Sequence, residues 1–125
     1  MFYTYRQNNS YGVFDVDDNV KHFVIIEADS AKEADKKAKK VGIYFNGVEK
    51  DIDCPCCGDR WRKADDPDFG IEGTKEPEIY GQSVIGFLKQ EVKADGSLPW
   101  DEEVIIYYKN GKASIVFSEK DLYDK

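Results

Sequence analysis

The chain has 125 residues, 41% of them hydrophobic and 34% charged, which is enough apolar material for one folded domain over residues 1–125 and argues against a disordered chain. The formal net charge of −7 argues against nucleic-acid binding, because that function requires a basic surface. No apolar run approaches the roughly 18–20 residues that span a bilayer, and the N-terminus lacks the pattern of a signal peptide, so we expect a cytosolic protein with no membrane contact.

The first part of the chain predicts three strands. Residues 1–6 alternate aromatic residues with other types, which is typical of a strand. The polar residues 7–10 predict a turn, so we expect residues 11–16 to return as the second strand of a hairpin. Residues 20–28 form the clearest strand pattern. Because both of their faces are apolar in the middle, we expect this strand to be central in its sheet.

A helix is predicted over residues 31–41. Ser30 and Glu33 form a capping box at its start, and Gly42 is placed to end it in the left-handed conformation. Its apolar stripe consists mainly of alanines, so the helix can pack closely on a sheet. Residues 43–45 then predict another strand, which would make the helix the crossover of a β-α-β unit.

Residues 49–78 differ from the rest of the chain. They contain ten acidic residues against five basic ones, three of the four prolines and no clear hydrophobic period. We interpret them as a long irregular excursion and not as a second domain. A loop of this length requires something to hold it in place. The block 53–61, which contains all three cysteines, is the candidate.

The C-terminal part predicts a helix and a hairpin. Residues 81–92 have helical spacing, although a glycine within them weakens that prediction and leaves the segment ambiguous. Asn110–Gly111 predicts a type I′ turn between strands at 104–109 and 112–117. A two-residue loop would pair the last residue of the first strand with the first residue of the second.

Together these elements predict an α+β fold. Its sheet is mostly antiparallel and consists of the N-terminal hairpin, the central strand and the C-terminal Asn-Gly hairpin. One main helix, residues 31–41, packs on this sheet, and the excursion 49–78 is irregular.

The cysteine block is first a structural element that holds the excursion and second a candidate zinc site. Residues 54–58 read Cys-Pro-Cys-Cys-Gly and fit a zinc knuckle, in which a tight turn points the thiolates of Cys54 and Cys57 at one metal ion. A structural site needs four ligands, and the others would be Cys56, His22, a nearby carboxylate or a second knuckle supplied by a homodimer. The alternatives are a metal-free turn with half-buried thiols, or redox or nucleophilic chemistry at the cysteines.

A second candidate site is Arg60, Trp61 and Arg62. Arginine beside tryptophan offers charge-assisted hydrogen bonds and stacking to an anion or a nucleotide. The alternative is that Trp61 simply packs in the core. The sequence has no glycine-rich phosphate loop and no serine nucleophile elbow, and a lone histidine within a strand is usually structural. We therefore name no catalytic residues.

Three blocks resemble a family of small, uncharacterised proteins encoded by tailed bacteriophages. They are the opening MFYTYRQNNS, the strand HFVIIEA at 22–28 with the capped helix after it, and the block CPCCGDRW at 54–61. The likeness covers roughly residues 1–80. It implies a protein made in the cytoplasm of an infected bacterium, and it implies no activity.

Two functions remain open. The first is a small phage accessory protein that binds a host or phage protein, in counter-defence or host takeover, without catalysis. The alternative is a binder, or sponge, of an anionic small molecule or nucleotide through the region of Arg60, Trp61 and Arg62.

Overall fold

The elements of the fold are one helix and six strands within the part of the chain that the structure describes. This computed structural model describes residues 1–8, 19–56, 58–67, 70–84, 86–87 and 104–116. The helix and strands are β1 (Phe2–Arg6), β2 (Phe23–Glu27), α1 (Ala31–Lys40), β3 (Glu78–Ile79), β4 (Gln82–Ser83), β5 (Val104–Tyr107) and β6 (Ala113–Val116). The predicted α+β class is confirmed.

Four strands form the main sheet in the order β1-β2-β5-β6, and β3 pairs with β4 in a separate two-stranded sheet. The ladders β1–β2 and β5–β6 are antiparallel, whereas β2 and β5 run parallel. Strand β2 therefore has neighbours on both sides, and its predicted central position is confirmed. The sheet is mostly antiparallel, as expected.

Both faces of the sheet are buried. One face packs against α1 and the chain that follows it, in a cluster that includes Val24, Ile26, Ile105 and Trp61. The other face packs against the β3–β4 hairpin and the residues after it, in a cluster that includes Phe23, Ile25, Val104, Ile106, Ile79 and Phe87. Successive side chains of a strand point to opposite faces, so the part of a strand that is covered on both sides is apolar at consecutive positions, as Phe23–Ile26 are. This explains the continuous apolar run of β2.

The ends of α1 follow from local signals. The Ser30 hydroxyl accepts a hydrogen bond from the Glu33 amide at 3.1 Å, which is the predicted N-cap. At the other end Gly42 has φ +112°, and the amide of Ile43 donates to the carbonyl of Ala38 at 3.0 Å. These contacts form a Schellman motif. The predicted helix is confirmed, and its last residue is Lys40.

The strand predicted at residues 43–45 is wrong, and so is the β-α-β unit. These residues are irregular, and the parallel neighbour of β2 is β5. Ile43 and Phe45 are nevertheless buried in the cluster beneath the helix. The amide of Ile43 is already used to close the helix, so this short apolar run is buried by packing and not by pairing in a sheet.

The C-terminal hairpin is confirmed, but its predicted register is wrong by one residue. Tyr107 pairs with Ala113, so the loop is the three residues 109–111. Gly111 has φ +89° but Asn110 is not in the left-handed region, whereas a type I′ turn requires positive φ at both positions. A type I turn followed by a left-handed glycine is the usual three-residue solution. The Asn110 side chain also accepts a hydrogen bond from the amide of Lys112, at 2.9 Å.

Two predicted elements fall partly or wholly outside the described residues. The second strand of the N-terminal hairpin, residues 11–16, lies outside the described residues. Within residues 81–92, which were predicted as a helix, Gln82–Ser83 form β4 instead. Val84, Gly86 and Phe87 have helical backbone, and residues 85 and 88–92 lie outside the described residues. The excursion is irregular up to β3 wherever it is described. Among the described helices, none is long and apolar enough to cross a membrane.

Candidate functional site

The excursion is tied to the helix by a carboxylate. Asp35 of α1 is only 8% exposed and accepts a hydrogen bond from the Tyr5 hydroxyl at 2.7 Å. It also accepts bonds from the backbone amides of Ala64, at 2.7 Å, and Asp65, at 3.0 Å. Sequence reasoning missed this role. The available signal is spacing, because Asp35 is four residues after Ala31 and lies beside the alanine stripe.

A second carboxylate closes the cysteine-containing loop. Asp53 is 1% exposed, and its carboxylate accepts hydrogen bonds from the Tyr44 hydroxyl at 2.6 Å and from the Arg60 amide at 2.7 Å. Within the loop the Gly58 amide donates to the Cys54 carbonyl at 3.0 Å. The two ends of the block 53–61 attach the excursion to the rest of the protein, Asp53 at one end through Tyr44 and Trp61 at the other through the core cluster.

Arg60 is part of this buried network. It is 4% exposed; its Nη1 donates to Gln7 Oε1 at 2.8 Å, and its Nε donates to the Tyr44 hydroxyl at 3.1 Å. Its Nε also lies 3.7 Å from a carboxylate oxygen of Asp53. This guanidinium joins the end of β1 to the excursion, so its principal contacts are internal.

The network alters the acidity of two tyrosines. Burial, followed by the hydrogen bond to Asp53, raises the pKa of Tyr44 to about 12, and Arg60 opposes that rise. Burial, followed by the hydrogen bond to Asp35, raises the pKa of Tyr5 well above its ordinary value. Both hydroxyls therefore act as neutral donors to carboxylates at physiological pH.

The three residues predicted to bind a ligand have different environments. Trp61 is 2% exposed and packs in the core cluster beneath the helix, and it also borders the cleft. Its role toward a ligand stays a prediction. Arg62 is exposed, and Lys63, which follows it, is half-buried. Arg62 is therefore the accessible member of the predicted site, and Lys63, which the prediction did not include, lies next to it.

These residues line a cleft of about 720 Å³. Contributions come from the end of β1, the turn after Phe45, residues 58–63 and the β3–β4 turn. The lining includes four cationic side chains, Arg6, Arg60, Arg62 and Lys63, and two acidic ones, Asp59 and Asp66. The cleft is thus locally cationic in a chain whose net charge is −7.

Tyr80 is a cleft residue that sequence reasoning missed. It has φ +53° and precedes Gly81, at φ +77°, in the tight turn between β3 and β4. Its side chain is 64% exposed, and the Arg6 guanidinium lies 5.9 Å from the centre of its ring. The rings of Phe23 and Phe87 contact it with centroid distances of 6.1 and 5.7 Å. Gly81 was the available signal for this turn, because glycine adopts a positive φ without steric cost.

A family model described as a domain of unknown function, DUF7296, matches residues 1–122. The chain belongs to the DUF7296 family. The match extends well past residue 80, where the resemblance noted from the sequence ended. Searches of curated proteins and of solved structures found no match. The family description states no activity, so a function for this DUF7296 protein must be argued from its geometry.

The zinc site of the DUF7296 chain stays a prediction. His22 is buried and stacks on Phe23 with 4.5 Å between ring centroids, Cys54 is half-buried, Cys56 is exposed, and Cys57 lies outside the described residues. Within the described part of the chain, no three His, Cys, Asp or Glu side chains are grouped to hold a metal ion. Zinc quantification on protein purified without added metal tests the full ligand set.

Proposed function

We propose that this DUF7296 protein acts by binding an anionic small molecule or nucleotide in its cationic cleft, without catalysing a reaction. The observation that carries the proposal is a cleft of about 720 Å³, in an acidic chain, that is lined by Arg6, Arg62 and Lys63 beside the buried Arg60. Binding sites for small molecules generally enclose roughly 300–1,000 Å³. The cleft is therefore of a suitable size and charge for such a ligand.

The backbone that carries Arg62 and Lys63 is fixed on both sides. On one side the Arg60 amide donates to Asp53, and on the other the Ala64 amide donates to Asp35. Two cations of the cleft thus stand on a short segment whose ends are held by buried carboxylates. Binding then orders less chain, and a preorganised site loses less conformational entropy.

The two acidic residues of the cleft reduce its positive charge without cancelling it. Asp59 uses one carboxylate oxygen to accept the Val48 amide at 3.0 Å, which fixes the turn after Phe45. Asp66 is half-buried at the lining. Because Arg60 lies beside the buried Asp53, the excess positive charge of the cleft comes from Arg6, Arg62 and Lys63 against Asp59 and Asp66. This excess favours a compact anion, and the affinity should fall as salt screens the exposed charges.

The test is calorimetric titration and thermal unfolding with pyrophosphate and a nucleotide panel at low ionic strength. The Arg62→Ala/Lys63→Ala variant removes two cations of the cleft, the exposed Arg62 and the half-buried Lys63. The Lys32→Ala/Lys36→Ala variant is the matched control, because it removes the same charge from exposed positions of α1 outside the cleft.

At a ligand concentration of 100 Kd, binding stabilises a protein by about 2.7 kcal/mol, which raises the melting temperature of a domain of this size by roughly 10 °C. We expect this rise in the natural chain and in the control, and not in the Arg62→Ala/Lys63→Ala variant. The proposal is wrong if no anion stabilises the natural chain, or if the two variants respond alike.

We further propose that this binding operates in the cytoplasm of a phage-infected bacterium, where sequestering an anionic signal would serve counter-defence. The support is the resemblance of residues 1–10, 22–28 and 54–61 to tailed-phage proteins. The hypothesis of a protein partner, and that of a homodimer joined through the cysteine block, stay predictions. Repeated failure to recover a specific partner from host lysate would count against the former.

A further inference from the structure

Tyr80 combines exposure with an unfavourable backbone conformation. It is the first of two left-handed residues in the β3–β4 turn, a position where Asn, Asp or Gly meets less steric resistance. A large apolar ring at this position is nevertheless 64% exposed at the lining of the cleft. Strained residues of this kind concentrate at functional sites.

The surroundings hold the Tyr80 ring in a defined orientation. Phe23, which is buried in β2, meets it edge-on with an interplanar angle of 88°, and the buried Phe87 contacts it at 58°. Arg6, at the end of β1, places its guanidinium 5.9 Å from the ring centre. The ring and the guanidinium form a preorganised pair of planar groups that faces the same cleft as Arg62 and Lys63.

We infer that the ligand of the cleft is a nucleotide whose base stacks on the Tyr80–Arg6 pair while its phosphates bind Arg62 and Lys63. This inference rests on the proposed function and narrows it. Aromatic rings and guanidinium planes both stack on nucleobases, and such stacking is tolerant of base identity because every base has a π face. A simple inorganic anion uses the cations and leaves the Tyr80 ring without a role.

The experiment compares pyrophosphate with ADP, GDP, CDP and UDP by calorimetric titration. These probes share a diphosphate, so the difference in their affinities isolates the nucleoside. Base stacking on one aromatic side chain corresponds to roughly 5-fold or more in affinity. We expect the natural chain to bind the nucleotides at least about 5-fold more tightly than pyrophosphate.

Two substitutions of Tyr80 separate the ring from the backbone. Tyr80→Phe keeps the ring and should keep the nucleotide preference. Tyr80→Asn suits the turn but removes the ring, so nucleotide affinity should fall to about that of pyrophosphate, while pyrophosphate affinity stays unchanged. Circular dichroism verifies folding. If Tyr80→Asn does not fold, Arg6→Lys serves instead, because it keeps the charge, loses the planar group and should reduce the preference for nucleotides.

The outcomes distinguish this inference from the function on which it rests. Equal affinity for pyrophosphate and nucleotides in the natural chain overturns the inference and leaves anion binding in place. A preference that persists in folded Tyr80→Asn, or in Arg6→Lys where that variant is used, overturns it equally. Absence of binding by pyrophosphate and by every nucleotide overturns both proposals.

Discussion

Replacing Asp35 by alanine removes the carboxylate that ties α1 to β1 and to the excursion. The substitution leaves three donors without their acceptor, namely the hydroxyl of Tyr5 and the amides of Ala64 and Asp65. Alanine is itself a good helix former, so the intrinsic helix propensity of α1 does not fall. Any loss of stability therefore reports the lost acceptor.

The magnitude follows from which donors are buried. Tyr5 and Ala64 are buried, and a buried donor left unsatisfied costs about 1–3 kcal/mol. Asp65 is exposed, so water can replace the carboxylate at its amide. We expect Asp35→Ala to reduce the free energy of unfolding by about 3–4 kcal/mol, against a typical total of about 5–15 kcal/mol.

Two further variants provide matched controls. In Asp35→Asn the carbonyl oxygen can still accept from Tyr5 and Ala64, which share Oδ1, while the amide group faces the Asp65 amide, so the expected loss is about 1 kcal/mol. Tyr5→Phe removes only the hydroxyl bond. The double-mutant cycle of Asp35→Ala with Tyr5→Phe should show a coupling energy of about 1–2 kcal/mol.

Urea unfolding followed by circular dichroism measures all of these variants. The reasoning is refuted if Asp35→Ala costs less than about 1 kcal/mol. It is equally refuted if Asp35→Asn lowers the free energy of unfolding as much as Asp35→Ala does, because the retained acceptor oxygen would then contribute nothing to stability.

Three other predictions concern the network around the cysteine-containing loop. Arg60→Ala should lower the free energy of unfolding by about 3–5 kcal/mol in urea unfolding, because it leaves a buried carboxylate without its counter-charge. Arg62→Ala should lower it by no more than about 1 kcal/mol, because contacts of an exposed side chain contribute little. Gly47→Ala places a methyl carbon 1.9 Å from the carboxylate oxygen that accepts the Arg60 amide, so we expect a loss above about 2 kcal/mol in the same assay. Because the pKa values of Tyr5 and Tyr44 are raised, the folded chain keeps two protons that the unfolded chain releases near pH 10. The contribution of these hydroxyls to the free energy of unfolding is therefore fully present below pH 10 and falls as the pH rises through 10 towards 12. Urea unfolding at a series of pH values measures this fall.

A specific result would contradict each of these three predictions. Similar losses for Arg60→Ala and Arg62→Ala would contradict the assignment of one arginine to the network and the other to the cleft. A Gly47→Ala variant as stable as the natural chain would show that the loop has room to shift. A Tyr44→Phe variant that loses stability as steeply above pH 10 as the natural chain would remove that hydroxyl from the alkaline transition.

Local signals account for the parts of the fold that the sequence predicts well. The start and end of α1 depend on a hydroxyl three residues from an amide and on one left-handed glycine, and all of these atoms are near one another in the chain. The burial of β2 on both faces is also visible in its composition. The presence of the hairpin β5–β6 was predicted correctly, but its register depended on the sign of φ at Asn110, and asparagine tolerates both signs.

Long-range contacts were decided by the tertiary structure. The parallel pairing of β2 with β5 joins residues about eighty positions apart, and no local pattern distinguishes that partner from the apolar run at 43–45. The same holds for the site. Arg60 and Arg62 have identical side chains two positions apart, yet Gln7, Tyr44 and Asp53 enclose the first and leave the second exposed.

The sequence by itself determined the class of the fold, the limits of the helix and the presence of cations and aromatic residues near position 61. Only the tertiary structure decided which of those cations is buried and which lines the cleft, and only it placed Tyr80 and Arg6 beside them. The physical reason is that burial and hydrogen-bond partners depend on segments far apart in the chain, whereas helix caps and strand periodicity depend on neighbours.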